Sequence, residues 1–285
     1  MGRRLVILLG LLLMTISSSL VGSAWGAETE GLRVCGDPDN LPFSNKKREG
    51  FENKIAEVIA KEVGAELTYY WWPHQRGLIR NTLRAGQCDV LISVPQGWEP
   101  VLWTRPYYRS GYVIVYPKAK GHKITSLDDP VLKQLKIGVY VNSPPAETLA
   151  EKGIMKNMVG YNPLDHQQDR PGKIIEDLIA GEIDVAVVWG PVAGYYAKKL
   201  NASHLVDIVP LQDEDPGNPF SFEFSMGVRE GNKALKAQLE EALSKRQAEI
   251  QKILEDYGVP LLPLLAKQHF GPVKDQPGQI IYQRY

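Results

Sequence analysis

Two alternating periods organise the apolar positions of this chain. Short β-branched and apolar runs, such as Val90-Leu91-Ile92 and Val185-Ala186-Val187-Val188, read as strands covered on both faces. Between such runs, apolar residues recur every three or four positions. Ile55, Ile59 and Val63 mark one helical stripe over Glu52–Val63, with Gly64 as its cap. Leu235, Leu239, Leu243, Ile250 and Leu254 mark another along Asn232–Tyr257. The same reasoning predicts strands at Leu32–Gly36, Glu66–Trp71, from Asp89, at Gly111–Tyr116, Lys136–Val141, Asp184–Val188 and Phe222–Val228. It predicts helices through Leu78, Ile79 and Leu83, at Pro145–Lys152 and Lys173–Ala180, and one opened by Pro191. The proline-rich stretch after Gly258 predicts an extended segment packed on the surface.

One unit occurs twice. Leu83-Arg-Ala-Gly-Gln-Cys-Asp89-Val90 and Leu178-Ile-Ala-Gly-Glu-Ile-Asp184-Val185 share L-x-A-G-x-x-D-V, 95 residues apart. In each, an amphipathic helix is expected to end at a glycine, Gly86 or Gly181, that suits the left-handed position after a helix. A buried parallel strand should follow. Two α/β lobes of similar design account for the repeat.

The N-terminus adds a targeting signal. Arg3 and Arg4 precede an apolar run from Leu5 to Met14 and then small residues around Gly22, Ala24 and Gly26. That layout is a secretory signal peptide, and its apolar core is short for a span of roughly 20 residues. An exported protein beginning near Ala27 is expected. Lys and Arg together equal Asp and Glu at 33 each, so loss of Arg3 and Arg4 leaves a formal charge of −2. There is no basic stripe of the kind that binds nucleic acid. The two cysteines are Cys35 and Cys88. In an oxidising compartment an even count favours a disulfide; a pair of buried thiols is the alternative.

Taken in order, GLRVCGDPDNLPFS, GFENKIAEVIAKEVGAEL, TRPYYRSGYVIVYP, SLDDPVLKQLKIGV and AGEIDVAVVWGPVAGYYAKK resemble the family 3 extracellular solute-binding proteins that serve ABC importers of amino acids. A narrower likeness rests on VCGDPDNLPFSN, GFENKIAE, YYWWPHQRG, RNTLRAGQCDVLI and VWGPVAGYYA. These are similar to the quinoprotein (PQQ) dehydrogenase-associated binding proteins, which include the J-type proteins of methanol oxidation clusters. The resemblance implies an α/β chain of the type II periplasmic binding protein fold, two lobes joined by two hinge strands. It implies a signal peptide at 1–26, lobe one at 27–116 and 222–285, and lobe two at 117–221. A periplasmic location and a PQQ-dependent methanol or alcohol dehydrogenase as partner follow from the same resemblance. The alternative role is an importer subunit for a small molecule other than a standard amino acid.

Ligands in such sheets sit outside the carboxyl ends of the strands. For lobe one those ends are Asp37 to Phe43 and Ser93 to Trp98, and for lobe two Tyr140 to Pro145 and Trp189 to Pro191. An amino-acid binder needs an arginine fork for the carboxylate and an acid for the ammonium, since both ligand charges lose water. The resemblance puts the arginine at the place of Gly97 and the acid at the place of Trp189, so both grips are expected to be missing. It also expects serine or threonine with free N–H groups at a helix start where Pro144 and Pro145 stand, each lacking an N–H. Phe43, Trp98 and Trp189 are therefore expected to give an aromatic, uncharged cleft for an apolar ligand or a partner side chain. Trp72 and Tyr140 read as core. Arg105 replaces the aspartate that the resemblance puts before P-Y-Y; it reads as a solvated surface arginine, with a partner contact as the alternative.

No catalytic set is expected. His74, His122, His166, His204 and His269 lack metal-ligand spacing, and no phosphate loop or nucleophile elbow is present. Glu99 and Glu223 read as lone surface or hydrogen-bonded acids. No metal or cofactor is expected.

Overall fold

A computed structural model describes residues 31–98, 100–162, 170–212 and 217–265. Residues 1–26, read above as a signal peptide, and Glu99, His166 and His269 lie outside the described residues.

The chain runs β1 (Leu32–Gly36), β2 (Asp39–Asn40), β3 (Ser44–Asn45), α1 (Phe51–Val63), β4 (Leu67–Trp71), α2 (Leu78–Asn81), β5 (Val90–Pro95), β6 (Leu102–Trp103) and β7 (Tyr108–Pro117). It continues with β8 (Ile137–Tyr140), α3 (Pro144–Glu151), β9 (Met158–Tyr161), α4 (Lys173–Ala180), β10 (Val185–Trp189), α5 (Gly190–Lys199), β11 (Val206–Pro210), β12 (Ser221–Val228) and α6 (Lys233–Asp256). Among the described residues, the main sheet has the order β4-β1-β5-β12-β7-β10-β8-β9, with β11 on β7 and β6 on β12.

Pairing divides this sheet into two lobes that meet at β7. In the first lobe, β1 lies parallel to β4 and β5. In the second, β8 lies parallel to β9 and β10. The start of β7, through Gly111, pairs antiparallel with β12. Its remainder, from Tyr112, pairs antiparallel with β10 and β11. The outgoing strand β7 and the returning β11–β12 thus run side by side at the junction. Helices α1 and α6 pack together on the first lobe, and α4 and α5 pack on β10, β7 and each other.

Burial follows the two periods. Every residue of β10 is buried, as both faces of a parallel strand under helices require. On α1 the buried stripe includes Ile55, Ile59 and Ala60, and on α6 it includes Leu239, Leu243, Ile250 and Leu254. Each buried isoleucine or leucine side chain among these contributes about 1.5–3 kcal/mol on burial. Gly64 and Gly181 close their helices at φ +69° and +77°, which a side chain would oppose.

The repeat departs from expectation at α2. The helix before Gly86 is a single turn, Leu78–Asn81, while its counterpart α4 extends over Lys173–Ala180. After Asn81 the hydrogen bonds widen: Arg84 N–H reaches back to the Ile79 carbonyl and Gln87 N–H to Thr82. The Thr82 hydroxyl also binds the Leu78 carbonyl at 2.7 Å, a local bond that competes with helix continuation. The segment ends in Cys88, which is joined to Cys35 with Cα atoms 5.4 Å apart. No helix among the described residues is long and apolar enough to cross a membrane.

Candidate functional site

The carboxyl ends of β1 and β5 form the first wall of the candidate site. Asp37 follows β1 and is 7 % exposed. Its carboxylate accepts the N–H groups of Asp39 at 2.9 Å and His74 at 2.5 Å, and its own N–H donates to Ser44 Oγ at 3.0 Å. Asp37 thereby ties β1 to the β2–β3 hairpin and to the chain beyond β4. His74 Nδ1 lies 4.0 Å from the same carboxylate. Burial holds the imidazole below its ordinary pKa, opposed by the Asp37 charge.

Beside it, Glu52 in the first turn of α1 is also buried. Burial pushes its carboxyl up to about 8, against a hydrogen bond from Ser93 and with a further push from Asp37. Ser93 Oγ lies 3.0 Å from Tyr107 OH, which donates to the Ile92 carbonyl. Sequence reading missed Glu52; its signal was an acid within the buried stripe of α1.

Phe43 enters α1 as a packing residue. Its ring lies 5.2 Å from Phe51, and its carbonyl accepts the Glu52 N–H. The approach is so close that a Cβ on Gly50 would stand 2.0 Å from the Phe43 oxygen. Phe51 meets Tyr108 edge-on at 6.2 Å, and Tyr108 stacks on Phe224 at 4.8 Å.

Trp189 ends β10 and is 8 % exposed. Its indole lies 5.1 Å from Tyr112, 5.8 Å from Phe224 and 6.1 Å from Phe222. The indole is therefore seated on β7 and β12, where the lobes meet. Its Nε1 finds no acceptor among the described residues. Phe43 and Trp189 are joined through Phe51, Tyr108 and Phe224 in one aromatic series that crosses the junction. A second cross-lobe contact runs from Tyr196 OH to the Leu41 carbonyl at 3.5 Å.

Gly97 and Trp98 lie apart from this series. Gly97 occupies the turn after β5 at φ +86°. Trp98, with Trp72, packs against the cluster around the Cys35–Cys88 bridge that includes Leu78, Leu83 and Val94. Its carbonyl accepts Trp103 Nε1 at 3.1 Å. Tyr140 is buried, with its hydroxyl on the Pro171 carbonyl at 2.7 Å. Arg105 is exposed. Its N–H donates to Glu240 of α6, and it borders a cavity of about 210 Å³ between Tyr107, α6 and Leu264. Glu223 is buried, and its carboxylate accepts the Leu265 N–H at 2.6 Å. Among the described residues no His, Cys, Asp and Glu cluster could hold a metal ion.

Residues 32–260 match the model of the bacterial extracellular solute-binding proteins, family 3. The chain belongs to this family. Within it, the chain is 30 % identical over 266 residues to Protein MoxJ of Methylorubrum extorquens, covering 88 % of both chains. It is 41 % identical to the solved periplasmic binding protein XoxJ of Methylobacterium extorquens AM1, with a TM-score of 0.68, covering 82 % of this chain and all of that one. It is 31 % identical to the solved MxaJ of Methlophaga aminisulfidivorans MPT, with a TM-score of 0.73 and coverage of 81 % and 100 %. As a family 3 solute-binding protein the chain has the type II periplasmic binding fold, consistent with one main sheet whose two lobes meet at β7, β11 and β12.

Proposed function

We propose that this family 3 protein is a periplasmic, non-catalytic accessory of a PQQ-dependent methanol or alcohol dehydrogenase, with aromatic rather than ionic groups between its lobes. The observation that carries the reading is Trp189. It stands where amino-acid importers of this family place an acid, and it is packed by Tyr112, Phe222 and Phe224. A carboxylate there would have to lose its water without a partner, which is costly. Gly97, where the family's arginine is expected, carries no side chain to meet a ligand carboxylate. The likeness to MoxJ, XoxJ and MxaJ supports the periplasmic setting and the link to methanol oxidation.

On this reading, lobe one comprises 27–116 and 222–285, lobe two comprises 117–221, and cleavage of residues 1–26 releases the mature protein. A small apolar ligand at the lobe junction would contact Phe43 and Trp189, and Arg105 would serve a partner surface. Crosslinking and copurification from periplasmic extract should recover the dehydrogenase. A deletion strain with normal holoenzyme yield and activity would contradict the proposal.

A further inference from the structure

We propose that the segment Gly258–Leu265 is a strap that fixes the angle between the two lobes. Helix α6 belongs to the first lobe, where Arg246 Nε pairs with Glu62 of α1 at 2.7 Å. Immediately after α6 the chain turns at Gly258, φ +74°, directly against α5 of the second lobe. The two backbones touch. A Cβ on Gly194 would stand 1.7 Å from the Gly258 oxygen, and a Cβ on Gly258 would stand 2.9 Å from the Gly194 oxygen. Lys198 of α5 donates to the Asp256 carbonyl at 2.6 Å beside this contact.

The segment then crosses the strands that join the lobes. Val259 is buried at 5 % exposure. The Pro260 carbonyl accepts Ser110 Oγ at 2.8 Å, and its ring lies close to Gly190, the first residue of α5. Leu262 pairs antiparallel with Arg109 of β7, donating its N–H to the Arg109 carbonyl at 2.9 Å. Arg109 is itself paired with Glu223 of β12. The Arg109 guanidinium donates to the Pro263 carbonyl at 3.3 Å and to Ser221 Oγ at 2.7 Å. Leu265 N–H ends the run on the Glu223 carboxylate.

One continuous segment thus holds α5 of the second lobe, the outgoing strand β7 and the returning strand β12. Hinge closure works through φ/ψ changes in a few residues of the connecting strands. Arg109 and Ser110 lie on such a strand, β7, just before its pairing passes from β12 to β10, and each is hydrogen-bonded to the strap. A change of lobe angle would first have to detach it.

The test places spin labels on the full chain at Lys47→Cys and Lys156→Cys, exposed positions in the first and second lobes. The distance distribution between them is then measured. The otherwise unchanged chain should give one narrow distribution. Leu262→Pro, which deletes the N–H donated to Arg109, should broaden it and shift its mean. Gly194→Ala, which forces Gly258 away, should do the same. A folded variant of either kind with an unchanged distribution overturns the proposal. Hydrogen exchange on the unmodified protein gives an answer even where a variant does not fold. The Leu262 amide should be protected as strongly as the amides of β7, and exchange near the unprotected rate would show that the strap is detached and overturn the proposal.

Discussion

Asp89 and Asp184 make the same pair of hydrogen bonds in the two lobes. Each donates its N–H to the residue at the start of the neighbouring parallel strand, Arg33 at 2.7 Å and Lys136 at 2.8 Å. Each takes that residue's N–H back on its carboxylate, at 3.2 and 2.9 Å. The aspartate of L-x-A-G-x-x-D-V is a clasp that sets one strand beside the next. Asp184→Ala is expected to cost about 1 kcal/mol, the net contribution of a typical hydrogen bond. Asp89→Ala should cost somewhat more, because Arg33 also grips that carboxylate with Nε and Nη2. Urea unfolding of the two variants checks both the size and the order.

The Cys35–Cys88 bridge closes a loop with a sequence separation of 53. Chain-entropy reasoning gives a loop of that length about 4 kcal/mol of stabilisation. Cys35→Ala/Cys88→Ala should fall by up to that amount in denaturant unfolding. The loss should be accompanied by a change in tryptophan emission, since Trp72 and Trp98 pack on the bridge cluster.

Much of this architecture was legible in the chain. The runs Val90–Ile92 and Val185–Val188 are apolar throughout, and the glycines after α1 and α4 mark helix ends that a left-handed residue closes. The short pieces were not legible. Strands β2, β3 and β6 span two residues each, too few to show a period. Helix α2 was expected to be long because Leu78, Ile79 and Leu83 lie at helical spacing, but wider turns and the Cys88 tether cut it short. The site residues depend on distant partners. Nothing in VVWGPV says that Tyr112, Phe222 and Phe224 will surround the indole. Nor does the proline content after Gly258 reveal that two glycines, Gly194 and Gly258, meet there.

Glu52 predicts a pH dependence of stability. Its folded pKa of about 8 lies above its ordinary value of 4.5. The folded state therefore holds a proton that the unfolded state releases. The stability this contributes is complete below pH 4.5 and is lost progressively up to pH 8. Glu52→Gln removes that loss, so the variant should gain on the unaltered protein as pH rises through this window. The limit is about 1.4 kcal/mol per pH unit. His74, lowered by burial, acts with the opposite sign: its contribution is present at high pH and lost as pH falls through its folded value. Thermal unfolding of both chains across pH isolates the Glu52 contribution, because His74 is common to them.

Trp189→Ala should be costly to stability, since the indole fills the space between β7, β10 and β12. Removal of a buried tryptophan typically costs about 3–5 kcal/mol. Trp189→Phe keeps the ring contacts with Tyr112 and Phe224 and should cost clearly less. Equal and small losses for both, measured by denaturant unfolding, would show that the ring is not part of the junction core.

The central claim is that this two-lobed binding scaffold lacks the ionic grips for a free amino acid. Isothermal titration of the purified mature protein with each standard amino acid tests it directly. The account predicts no saturable heat from any of them. Tight, stoichiometric binding of one amino acid would contradict it.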